Sequence, residues 1–126
     1  MRTFDTSQTE FRQVGPITVA RWEQEYRIPD GTMPFGAMWY TVPPGGASVR
    51  DQHPELELSI VLSGTAHVEA SGSVTEVAAG SAFLLDSEEA HVVHNRANEP
   101  VVIFSGYWMP LDQPADPQAE PVREDA

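Results

Sequence analysis

Eleven prolines and nine glycines cut this chain into short pieces, and that punctuation constrains its fold more than any other feature. Most pieces are rich in Val, Ile, Thr, Phe, Tyr and Trp, side chains that suit a pleated, half-buried surface. Strands are predicted over 17–22, 36–42, 47–53, 56–62, 65–70, 73–77, 82–85, 91–95 and 101–108. None of these is long enough for a helix of ordinary length. Turn signals such as Pro43-Pro44-Gly45-Gly46, Ser63-Gly64, Ser71-Gly72 and Ala79-Gly80 fall between them. Their spacing of about 8–12 residues is that of sandwiches and barrels, so the expected fold is all-β, a jelly roll or small barrel.

With 126 residues the chain fits one compact domain. Residues 1–111 are expected to form it, with strands at the N-terminal side. Residues 112–126 carry three prolines and five acids against one arginine, with Val122 the only large apolar side chain. That composition predicts a disordered acidic tail.

Chemistry is bounded by what is missing. The chain has no cysteine, which excludes disulfides, thiolate zinc sites, iron–sulfur ligation and cysteine nucleophiles. All seven basic residues are arginine, so lysine Schiff-base chemistry is excluded too. A formal charge of -12 repels phosphate backbones and anionic headgroups, and neither nucleic acid nor membrane is an expected partner. The opening residues lack the apolar stretch of a secretory signal, and a cytoplasmic location is expected.

Any metal must therefore be held by nitrogen and oxygen, and the nitrogens come from only four histidines: His53, His67, His91 and His94. Asp51 and His53 are two apart on a predicted strand, where alternate side chains share a face. Pro54 interrupts the ladder, and the turn after it can return Glu57 beside them on an antiparallel neighbour. His91 opens a distant strand, and Asn95 falls on its side as a polar neighbour. Asp51 has a second reading as a cap of the turn at Gln52-His53-Pro54. Glu57, between Leu56 and Leu58, would by alternation alone face solvent. By parity His67 and His94 point to the outer surface.

These residues resemble the motifs of the cupins. The first cupin motif places a glycine before His-x-His, then a glutamate and a further glycine. Here Gly46 precedes Asp51-Gln52-His53, with Glu57 after three residues and Gly64 six beyond it. The second motif runs from glycine through proline-x-glycine to histidine and asparagine, and Gly80, His91 and Asn95 stand at its spacings. Three positions depart from the pattern. Asp51 replaces the first histidine, while Asp86 and Glu88 replace the proline and glycine, leaving the shape of the turn before His91 open.

The resemblance implies a cupin double-stranded β-helix and Asp51, His53, Glu57 and His91 as ligands of a divalent ion, which is iron, manganese, zinc or nickel. It further implies a small metal-dependent enzyme, an oxygenase or an isomerase, cyclase or dehydratase, in a natural-product pathway. A non-catalytic ligand-binding barrel is the alternative. Inward-facing residues of such a barrel would shape a pocket for a small organic substrate, with Met38, Tyr40, Asn95 and Phe104 as the expected lining and Trp39 as an alternative to Met38 and Tyr40. An exposed edge strand needs covering, and a homodimer is expected.

Overall fold

The structure, a computed structural model, describes residues 1–111; the predicted acidic tail lies outside the described residues. Nine strands run in chain order: β1 (Arg12–Val14), β2 (Ile17–Arg21), β3 (Gly36–Val42), β4 (Leu56–Ser63), β5 (Thr65–Ala70), β6 (Ser73–Ala78), β7 (Ala82–Leu85), β8 (His91–His94) and β9 (Val101–Trp108). They form a six-stranded sheet in the order β1-β2-β3-β9-β4-β7 and a three-stranded sheet in the order β6-β5-β8. Every pairing is antiparallel. The fold is an all-β jelly roll. No helix among the described residues is long and apolar enough to cross a membrane.

The core lies between the sheets and is built mainly of small branched side chains. Val42, Val61, Val101 and Ile103 are fully buried, with Ala66, Val68, Val77 and Val93 facing them from the smaller sheet. Branched side chains stiff at χ1 fit a pleated inner wall, and full burial of each is worth roughly 1.5–3 kcal/mol. The hairpin between β4 and β5 closes through Gly64, whose φ is +80°. A Cβ there would lie 2.7 Å from the Pro100 carbonyl oxygen, so that turn admits no side chain.

Three local departures from expectation have physical causes. Strand β1 was not predicted because Arg12-Gln13-Val14 offers a single apolar residue; it forms because Gly15, at φ +60°, lets the chain turn back and pair Val14 with Ile17. Trp22 leaves the sheet to start a one-turn helix, α1 (Trp22–Glu25), where Glu23 accepts a hydrogen bond from the Ala37 amide at 3.0 Å. The predicted strand 47–53 is an irregular segment joined to β8 by bridges at Ala47 and Asp51 and by the Ser48 N–H, which donates to the Val93 carbonyl at 2.9 Å. Between those bridges the Ser48 hydroxyl, in place of a backbone carbonyl, accepts the Val93 N–H at 2.9 Å. A side chain thus interrupts the ladder.

Against the outer face of the larger sheet, the N-terminal segment and α1 bring Phe4, Trp22 and Tyr26 onto Trp39 and Phe104. The Tyr26 hydroxyl accepts from Trp39 Nε1 at 2.7 Å, so this aromatic layer is also hydrogen-bonded.

Candidate metal centre and its cavity

Pairing between Asp51 and His91 brings the irregular segment and β8 together, and the chain's most polar interior forms there. Asp51, His53 and His91 each offer a ligand atom, and these atoms all lie within 4.8 Å of one another. The two imidazoles stand edge to face with ring centroids 5.1 Å apart. Nδ1 of His53 lies 3.0 Å from the Glu55 carbonyl oxygen, and Nδ1 of His91 lies 2.8 Å from that of Glu89. A carbonyl only accepts, so Nδ1 carries a hydrogen in both rings, and in the neutral imidazole each Nε2 is left as a lone pair.

Glu57, on β4, lies beside His53 but outside the three-residue group whose ligand atoms are all within 4.8 Å of one another. It is 6 % exposed, and its Oε1 lies 3.3 Å from His53 Nε2. Strand alternation is inverted here: Glu57 and Ser59 point into the barrel while Leu58 and Leu62 are exposed outside. Inside, Oε2 of Glu57 accepts from Ser59 Oγ at 3.2 Å and from Ser105 Oγ at 3.1 Å, and the two hydroxyls are 2.7 Å apart. That clamp commits one carboxylate oxygen to the serines and leaves the other toward His53. Asp51 caps the turn and also stands near His53. Its Oδ1 accepts the Gln52 N–H at 2.9 Å, as a turn cap does, while Oδ2 is 4.0 Å from His53 Nε2.

The turn before His91 is set by Glu88. Its φ of +63° is the left-handed conformation that glycine adopts freely, and its N–H donates to the His53 carbonyl at 2.7 Å. The segment before His91 is thereby tied to the one that carries His53. Glu89 adds a second tie. Hydrogen bonds from Ser71 Oγ and the Asp86 N–H hold its carboxyl below the usual carboxylate range.

A cavity of about 150 Å³ opens beside the cluster, with Asp51, Glu57 and His91 at one end and apolar walls from Val19, Met38 and Val93. Met38 and Tyr40 line it, as expected from strand parity. Burial, then the charge of Glu57, pushes the Tyr40 hydroxyl well above its ordinary range, so it stays a neutral donor.

Two expected lining residues are placed elsewhere. Phe104 is on the opposite face of β9, packed against Trp22 and Trp39, because residues of one strand alternate between faces and Ser105 takes the inner position. Trp39 is outside for the same reason. Asn95 is on the inner side but 1 % exposed, and its amide is spent on the Val42 and Glu99 carbonyls and the Ala97 N–H. It braces a loop instead of facing the cavity.

His67 and His94 face outward, where His94 Nε2 meets Glu69 at 3.1 Å and His67 Nε2 meets Glu76 at 3.8 Å. Three residues at the site or its cavity were not singled out from sequence: Ser59, Ser105 and Arg21. The serines were within reach of parity, since Ser59 is two positions from Glu57 and so shares its face.

His53 Nε2 is a buried nitrogen with no hydrogen-bond partner in the structure. A buried lone pair facing a second lone pair and two carboxylates is costly unless a cation or proton lies between them. The donor set therefore fits a divalent ion held by nitrogen and oxygen.

A family model described as Cupin domain matches residues 38–107. Among solved structures, the plu4264 protein from Photorhabdus luminescens is similar with a TM-score of 0.73 and 24 % identity, over 86 % of each chain. A Cupin 2 conserved barrel domain protein from Salinispora arenicola gives a TM-score of 0.69 and 25 % identity, over 86 % of this chain and 87 % of that one. The polyketide cyclase RemF from Streptomyces resistomycificus shares the fold with a TM-score of 0.71 at 18 % identity, over 85 % of this chain and 78 % of that one. The family match spans both motif segments and the strands that carry them, and the chain belongs to the cupin family.

Proposed function

We propose that the protein is a metal-dependent enzyme that transforms a small organic molecule in its barrel, with His53, His91, Glu57 and Asp51 holding the ion. The observation that carries this reading is the orientation of the two imidazoles: each Nδ1 is tied to a backbone carbonyl, and the freed Nε2 of His53 is buried without a partner. A divalent ion there would act as a Lewis acid on a substrate oxygen, and iron(II) would add dioxygen chemistry.

The chain's own groups supply the rest. Glu57 presents a single oxygen because the serines hold the other. The neutral Tyr40 hydroxyl can donate a hydrogen bond to charge developing on a substrate oxygen. Asp51 is the exposed member of the group and faces the solvent side of the site. Val19, Met38 and Val93 exclude water from the substrate's apolar part. The reading extends to cyclisation, isomerisation, dehydration or oxygenation in a natural-product pathway, supported by the shared fold with a protein named as a polyketide cyclase.

Elemental analysis of the purified full chain, before and after chelation, tests the reading. Close to one divalent ion per chain, removable and restorable, is expected; a chain that never takes up iron, manganese, zinc or nickel ends it, leaving the non-catalytic ligand-binding barrel.

We also infer a cytoplasmic homodimer. The exposed edge strand β1 supports self-association, since an uncovered row of backbone donors and acceptors is a template for a second copy. Light scattering that returns one chain mass overturns it.

A further inference from the structure

The cavity that meets the metal cluster has acidic groups at one end and a single cation in its wall. Arg21, the last residue of β2, is the one basic side chain lining it among the described residues. No carboxylate among those residues is within ion-pair distance of its guanidinium. Its one hydrogen bond is to the Tyr107 hydroxyl, at 3.1 Å. Its guanidinium carbon also lies 5.9 Å from the centroid of that ring.

The position of Tyr107 is built, because it depends on Gly36. The two are register partners on β9 and β3, and the ring lies over the glycine so closely that a Cβ there would meet it at 2.1 Å. Tyr107 is in turn the register partner of Glu57 on β4. Tyr107 thus holds Arg21 in the wall of the cavity that Asp51, Glu57 and His91 also line, with most guanidinium donors uncommitted.

We infer that Arg21, braced by Tyr107, is the recognition group for a substrate carboxylate, so that the enzyme's substrate is a small organic acid. A planar guanidinium matches a carboxylate in a two-pronged geometry. The chain's formal charge of -12 repels anions at long range, so an acid enters this cavity only if a local cation outweighs that field. Beside the proposed ion, Arg21 is the cation placed to do so. The volume of about 150 Å³ takes a ring-sized body. A dry apolar cavity of about that size holds benzene. With its carboxylate on Arg21 and its body on Val19 and Met38, such an acid would extend toward Asp51 and His91. This deepens the proposed enzymatic reading and rests on it for the reaction, while the recognition itself is separable.

The test compares benzoate with benzamide, which share shape and differ in charge, on the full chain with its metal and after chelation. Benzoate is expected to bind about tenfold or more tightly than benzamide, the scale of a charge-assisted pair. Arg21→Gln should erase the preference with melting temperature and metal content unchanged, because the side chain is exposed. Arg21→Lys should fall between, and Tyr107→Phe should lower benzoate affinity several-fold while leaving benzamide alone. Equal affinity for the two compounds, or binding of neither, overturns the proposal. So does a preference that survives Arg21→Gln and disappears on chelation, since the carboxylate then contacts the ion. A chain that takes up no metal, yet shows an Arg21-dependent preference for benzoate, overturns the metal reading and leaves this one standing.

Discussion

The hydroxyl of Ser105 lies 3.1 Å from Oε2 of Glu57, across a strand pair whose two members are 48 positions apart in sequence. Hydrogen bonds to a ligating carboxylate orient it, and losing one commonly costs about 10–100-fold in metal affinity. Ser105→Ala should therefore weaken uptake by about tenfold and lower stability by about 1–2 kcal/mol. A chelator-competition titration checks the first and urea denaturation the second; unchanged affinity would show that the clamp does not orient Glu57.

His91→Ala should abolish metal uptake while leaving the far-ultraviolet circular dichroism of a β protein unchanged. His67→Ala, on the outer face beside Glu76, should alter neither. If His67→Ala strips the ion instead, the assignment of faces on β5 is wrong.

Asn95→Ala should destabilise the fold by about 2–4 kcal/mol, because the Val42 and Glu99 carbonyls both lose their side-chain donor and Ala97 its acceptor. Metal content of the surviving folded protein should not change. A loss of metal without loss of stability would return Asn95 to the site.

Glu88→Gly should raise stability by about 0.5–1 kcal/mol, since a left-handed residue with a Cβ carries strain that glycine lacks, partly offset by glycine's freedom when unfolded. Thermal unfolding followed by calorimetry reads this directly. A fall in melting temperature would mean the Glu88 side chain contributes more than its backbone strain removes.

Tyr40 gives a pH dependence whose sign follows from its raised ionisation. The unfolded chain ionises it near pH 10, where the folded chain still holds the proton, so the folded state binds more protons above that point. Stability from this group is complete below about pH 10 and falls by up to about 1.4 kcal/mol per pH unit above it. Tyr40→Phe should flatten that alkaline decline. Absorbance at the phenolate band should show Tyr40 ionising only as the protein unfolds.

Much of this molecule was legible from spacing alone. Prolines and glycines marked most strand boundaries, and period-two parity put Met38 and Tyr40 together on the face opposite Trp39, leaving open which face is inner, and placed His67 and His94 outside. Parity failed where the strand itself was misread. Residues 47–53 look like a strand, but the Ser48 hydroxyl takes a backbone carbonyl's place in the ladder. Phe104 was assigned by its aromatic character, although Ser105 holds the inner position. Glu57 is the reverse case: alternation alone would put it in solvent, and the turn after Pro54 together with the glycine-to-glycine register of the first motif directed it inward. Arg21 and Tyr107 could not be read, because their meeting depends on which strands neighbour which and on the space left by Gly36.

The inverted alternation of β4 has a consequence for folding. Sliding this strand by one residue against β9 and β7 would turn its leucines inward and expel the carboxylate and the serine, an exchange that apolar burial alone would favour. The native alignment is thus locally frustrated at the segment that carries Glu57 and Ser59 into the interior. Val61, fully buried, and the irregular step in pairing between Val61 and Ser63 are what hold the working alignment against that slippage.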